Sequence, residues 1–162
     1  MSGDKNLKQA ILEYSNGNFL TSEDIINEIW DAEKENIKIW NLKSAIASKK
    51  GNPMESIRIL SEAKEKFHSN ESICLNLGLS YRNISDYDKS LKFFKEALQI
   101  NDTSDNTFFE ITKTYIHKGE LSNALETLDK LKLKGEDTKE LNYYYGFAYE
   151  RLGNLEKAKK FL

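Results

Sequence analysis

The chain has 162 residues, 39% hydrophobic and 31% charged, with 24 basic side chains against 26 acidic ones. That balance describes a folded chain of one-domain length, and excludes a disordered polymer or one whose partner is nucleic acid, where affinity rests on many phosphate contacts. No run of about 18 apolar residues occurs, so no membrane-spanning helix and no membrane partner is expected.

In chain order, the opening MSGDKNLKQAILEYSNG lacks the apolar core of a signal peptide, and Ser2 stands where myristoylation needs glycine. With Cys74 as the single cysteine, no internal disulfide can form, and a reducing cytoplasm is the expected location. Without a secretion signal, the Asn-x-Ser/Thr triplets at Asn70, Asn83 and Asn101 read as chance.

The first element is a helix with an apolar stripe of Leu7, Ala10, Ile11 and Tyr14. A second is predicted to begin at Thr21 or Ser22, where Asp24 completes a Thr-x-x-Asp capping box. Next comes a helix through Trp40 and Ser44 that stops at Lys49-Lys50-Gly51-Asn52-Pro53. Glycine suits a helix C-terminus, and asparagine followed by proline suits the next N-terminus, so this stretch is a tight helix-to-helix turn. Ser56, Leu60 and Ala63 continue the pattern beyond it. Cys74, Leu77, Gly78 and Tyr81 then share one helical face, as do Leu91, Phe94, Ala97 and Leu98 on the following helix. Tyr115 with Ala124, and Tyr149 with Ala158, mark two further pairs.

The turn signal recurs. Gly17, Gly51, Ser85, Gly119 and Gly153 stand 34 residues apart, and a fixed period in this range marks a solenoid. Neither helix of a pair could bury its stripe alone; stacked neighbours complete the core. Small residues at Ser44, Gly78, Ser90, Ala124 and Gly146 fit places where helices cross closely.

Cys74-x-x-Leu77-Gly78-x-x-Tyr81, followed by Ser90, Phe94 and Ala97, resembles the tetratricopeptide repeat family. The resemblance implies an all-α, right-handed α-solenoid of about five 34-residue helix-turn-helix repeats. Residues 1–36 form a degenerate first unit or cap. Residues 37–162 form the array, divided as 37–70, 71–104, 105–138 and an incomplete 139–162. Three departures stand out. His68, Asp102 and Glu136 replace the family's proline, which predicts looser turns between units. Ser85 replaces the turn glycine, and its Cβ disfavours the same cap geometry. The last unit stops inside its second helix, with Phe161 and Leu162 poised to pack on something further. That predicts either a piece of a longer protein or self-association through this end.

The sequence shows no catalytic, metal or cofactor signature. His68 and His117 are far apart, Cys74 sits on a core stripe, and the glycines form no phosphate-binding loop. Recognition of another protein is the expected function, because first helices of such repeats line a concave groove. The resemblance places Asn41, Ala45 and Lys49 there, then Leu75, Leu79 and Arg82, then Phe109, Lys113 and Ile116, and finally Tyr143, Phe147 and Arg151. Such a floor, apolar with basic residues interspersed, suits an apolar, mildly acidic peptide or helix. The family's carboxylate clamp is disfavoured. Asn76 matches one clamp position, but Asn41 and Ala45 stand for Lys and Asn, and Asn106 and Glu110 for Lys and Arg. Three other roles are compatible with the pattern: a regulatory region of a larger enzyme, a secretion chaperone, and a self-assembling structural protein.

Overall fold

The computed structural model describes residues 2–135 and 138–161, with side chains from Lys5 onward. Among the described residues there are ten helices and no strand. They pair as hairpins: α1 (Ser2–Ser15) with α2 (Phe19–Glu33), α3 (Ile37–Lys49) with α4 (Pro53–Lys66), and α5 (Glu71–Asn83) with α6 (Tyr87–Ile100). α7 (Asp105–Lys118) pairs with α8 (Leu121–Leu133), and α9 (Lys139–Arg151) with the short α10 (Leu155–Ala158). The inner helices α1, α3, α5 and α7 also touch in succession, whereas among the described residues no comparable contact joins the even-numbered helices to one another. The result is an α-solenoid with the odd-numbered helices as its inner layer.

Each hairpin closes on a residue in the left-handed region: Gly17 (φ 82°), Gly51 (79°), Ser85 (61°), Gly119 (84°) and Gly153 (75°). The departure expected at Ser85 is not found. The Ser85 N–H donates to the Arg82 carbonyl at 2.8 Å, and the Asp86 N–H to the Tyr81 carbonyl at 3.0 Å. The turn at Gly119 is closed by the same pair of bonds, to Ile116 and Tyr115. These bonds hold serine in a conformation that costs a residue with a Cβ roughly 1–2 kcal/mol. After the turn, Asn52, Asp86 and Asn154 each accept the third backbone N–H of the next helix.

The first unit corrects another expectation. α2 begins at Phe19 rather than at Thr21 or Ser22, because the Asn18 carbonyl already accepts from the Ser22 N–H at 3.0 Å; unlike Asn52 and Asp86, the Asn18 side chain makes no cap bond and donates to Glu13 instead. Ser22 is therefore inside the helix, fully buried, and its hydroxyl donates to the Ala10 carbonyl at 2.8 Å. It holds the same register position as Ser56, Ser90, Ala124 and Ala158, all of them buried. The close crossing is thus present in the first unit too. α1 exposes Lys5 at the register position where α3, α5 and α9 bury Ile39, Ile73 and Leu141.

Gly78 marks a tight crossing. A Cβ there would lie 2.4 Å from Phe94 Cε1, and the Phe94 ring is fully buried. The connections at His68 and Asp102 are closed without proline. The Phe67 and Asn101 N–H groups each cap the preceding helix on an alanine carbonyl, Ala63 and Ala97. Glu136 and Leu162 lie outside the described residues. Phe161 is not poised outward: it stacks on Tyr145 at 4.6 Å and on Tyr149 at 5.9 Å. The second stack repeats Tyr81 on Phe93, 5.4 Å apart, two repeats earlier.

Candidate partner-binding groove

The inner layer brings the sequence-predicted residues onto α3, α5, α7 and α9, but neighbouring repeats alter what each can do. Asn41 is committed between repeats. Its Nδ2 donates to Ser72 Oγ at 2.9 Å, and its Oδ1 accepts from Asn76 Nδ2 at 2.9 Å. Leu75 and Leu79 are half-buried, packed on the cluster of Leu91, Phe94 and Ile111. Lys49 is exposed beside Ala45, and both line a cleft between α3 and α5.

Arg82 is not a free groove cation. Its Nη2 lies 2.5 Å from Glu110 Oε2, with the two side chains 18% and 11% exposed. Lys113 closes on the other oxygen of the same carboxylate at 3.0 Å and reaches Glu140 at 3.6 Å. Burial opposes the charge of the Lys113 ammonium, but the Glu110 bond and charge prevail, so its pKa is raised. Phe109 and Ile116 are buried, at 7% and 6% exposure, because the next repeat covers them. The Tyr144 ring sits 6.0 Å from Phe109, and Arg151 Nη1 donates to the Ile116 carbonyl at 3.3 Å. Neither residue presents a surface to a partner.

At α9 the aromatic surface opens. Tyr143 holds the register position of Phe109 yet is 53% exposed. It stacks on Phe147 at 6.1 Å, and the Arg151 guanidinium lies 6.0 Å from the Phe147 ring. Tyr145, by contrast, is buried and donates to Asp129 Oδ1 at 2.6 Å; burial raises its pKa, aided by that bond.

The inner face therefore has two zones. One is a polar cleft of about 470 Å³ lined by Tyr14, Ser48, Lys49, Asn76, Ser80 and Asn83 among others. The other is the aromatic surface of α9. Between them lies the Arg82–Glu110–Lys113 cluster.

A tetratricopeptide repeat model matches residues 71–104. BBSome complex member BBS4 from Bos taurus is 30% identical over 108 residues, which are 67% of this chain and 21% of that protein. The chain thus spans only a minor part of the curated relative it matches. Among solved structures, a tetratricopeptide repeat protein from Parabacteroides merdae superposes with a TM-score of 0.80 at 15% identity, covering 99% of this chain and 64% of that one. A MamA crystal structure gives 0.77 at 17% identity, covering 98% and 87%. A Naa15/Naa10 complex bound to HypK-THB gives 0.71 at 18% identity, covering 99% and 24%.

The chain is a tetratricopeptide-repeat protein. Within its array, reading the sequence alone missed Tyr14, Ser48 and Asn83, which the fold brings to the cleft, and Glu110 as the acceptor for two groove cations. The 34-residue register could not have found the last: Glu110 follows Asn76 by one period, yet Asn76 donates to Asn41 whereas Glu110 pairs with Arg82 and Lys113. The fold supports a protein-interaction scaffold in general, and no described helix is long and apolar enough to cross a membrane.

Proposed function

We propose that this tetratricopeptide array holds an apolar, mildly acidic segment of a partner protein along its inner face, and acts by binding rather than by catalysis. The observation that carries the reading is Tyr143. It is a large aromatic 53% exposed beside half-buried Phe147, on the same inner face as the half-buried Leu75 and Leu79 of α5. An accessible aromatic anchor with a cation at its side is what an apolar segment bearing carboxylates would use. Of the original groove set, Tyr143, Phe147, Arg151, Leu79 and Lys49 carry the proposal; Phe109 and Ile116 support it from beneath. The match to a small part of a protein described as a complex member, and the likeness to a chain solved together with others, fit a role as one region of a larger assembly.

The test is to isolate the native partner by affinity capture and measure its affinity for single variants. Tyr143→Ala and Phe147→Ala are each expected to weaken binding by about 2 kcal/mol, as hot-spot aromatics do. Lys92→Ala, on the outer helix α6, is expected to leave it unchanged. Parent-like binding by both aromatic variants, with helicity intact by circular dichroism, overturns the reading.

A further inference from the structure

We infer that the cleft between α1, α3 and α5 receives a single carboxylate carried on the same extended partner segment; this rests on the inner-face reading above. Among the described residues no carboxylate side chain lines the cleft, although the chain has 26 acidic residues. Lys49 has no ion pair among the described residues, whereas neighbouring cations are neutralised: Lys50 by Glu23 at 2.5 Å and Arg82 by Glu110 at 2.5 Å. The remaining wall offers donors. Asn83 Nδ2 gives one N–H to Ser48 Oγ at 3.2 Å and Asn76 Nδ2 gives one to Asn41 at 2.9 Å, so each amide keeps a second N–H. Ser48 accepts from Asn83 and keeps its own O–H to donate. The base is made of small hydroxyls. Ser56 and Ser80 are 1% and 4% exposed and bonded to each other at 2.9 Å, which leaves room above them without an unmet polar atom.

One ammonium with several neutral donors suits one negative charge. A phosphate, carrying nearly two at neutral pH, would call for a second cation that Arg82 cannot supply. Lys49, Ser48 and Asn83 are not positions of the carboxylate clamp, so the site does not depend on the residues that clamp lacks here. Its place along the groove also sets a spacing. Inner helices pack about 10 Å apart, so the cleft and the Tyr143–Phe147 surface are separated by roughly 20 Å. An extended chain covers that in about six residues.

The experiment uses the whole chain and fluorescence anisotropy. The probe is a terminally blocked serine–glycine peptide carrying one glutamate and one leucine, spaced by about six residues. Replacing the glutamate with glutamine should weaken binding on the order of tenfold, the loss of a charge-assisted contact. Lys49→Ala should impose the same loss on the glutamate peptide and leave the glutamine peptide unchanged. A phosphoserine version should bind no tighter than the glutamate one. Equal binding of the glutamate and glutamine peptides, indifference to Lys49→Ala, or much tighter binding of phosphoserine each overturns the inference. If only these fail while Tyr143→Ala still weakens the peptide, the inner-face reading stands. If Tyr143→Ala and Phe147→Ala are silent as well, or no peptide binds at millimolar concentration, both fall.

Discussion

Around α3 and α5 the inner face is a cleft of serines and asparagines with Lys49 at its edge, while around α9 it is aromatic, with Tyr143 half exposed. The two zones overlap in register on the inner helices, since Ala45 and Leu79 of the cleft are the equivalents of Phe147. Asn41, Leu75, Phe109 and Tyr143 are equivalents, as are Ala45, Leu79, Lys113 and Phe147. The positions held constant are the small ones at the crossings and the turns, because a bulky side chain there would force helix axes apart. The others are free to differ, so one scaffold carries two chemistries side by side.

The sharpest way to break this comparison is to truncate the equivalent rings. Phe109→Ala should destabilise the fold by about 3–5 kcal/mol, as a buried aromatic does, whereas Tyr143→Ala should stay within about 0.5 kcal/mol. Chemical denaturation measures both. Equal effects would mean that the two positions do not differ in burial.

Glu110 lies on the seam between the zones. Glu110→Ala leaves Arg82, with its side chain 18% exposed, facing a vacated partner. A loss of about 2 kcal/mol is expected, below the full cost for a wholly buried pair because water still reaches it. An unchanged denaturation midpoint would show that the cluster does not join the halves.

Gly78→Ala probes the crossing beneath the polar zone. The added Cβ would meet a Phe94 ring that is buried on all sides, and overpacking of this kind costs about 1–3 kcal/mol. A neutral result would mean that the ring can shift.

A smaller effect separates the serines at the crossing position. Ser56 is bonded to Ser80, whereas Ser90 is fully buried with no hydrogen-bond partner among the described residues. Ser56→Ala should cost about 1 kcal/mol, while Ser90→Ala should be neutral or stabilising, since alanine already serves at Ala124 and Ala158.

Alkaline titration should give the smallest change, separating Cys74 from the buried tyrosines. Burial raises the Cys74 thiol from its ordinary 9.0, so the folded chain keeps a proton that the unfolded chain releases. That stability is complete below pH 9.0 and is lost as pH rises toward the folded value. Tyr14, Tyr144 and Tyr145, raised from 10.0 chiefly by burial, add a second loss beginning one unit higher. Cys74→Ala should flatten the melting-temperature decline between these two onsets and leave the later one. An identical profile would remove Cys74 from the account.

Period and turn chemistry were legible in the sequence itself. Glycines 34 residues apart, the small residues at the crossings and the apolar stripes of each helix are local signals, and local signals specify helix hairpins that must stack. The fold therefore followed from them, while the identity of the inner helices came from the resemblance to the tetratricopeptide repeat family. Exposure followed from neither. Phe109 reads as a groove residue along its own helix, but it lies under Tyr144 of the next repeat. Arg82 reads as a groove cation until Glu110, 28 residues on, neutralises it. Ser85 takes the glycine conformation because two backbone bonds hold the turn, and Phe161 turns inward because Tyr145 and Tyr149 wait there. Helical periodicity reports which side of a helix a residue occupies, whereas its charge state and its access to a partner are set by side chains of the next repeat, and only the stacked structure brings those into contact.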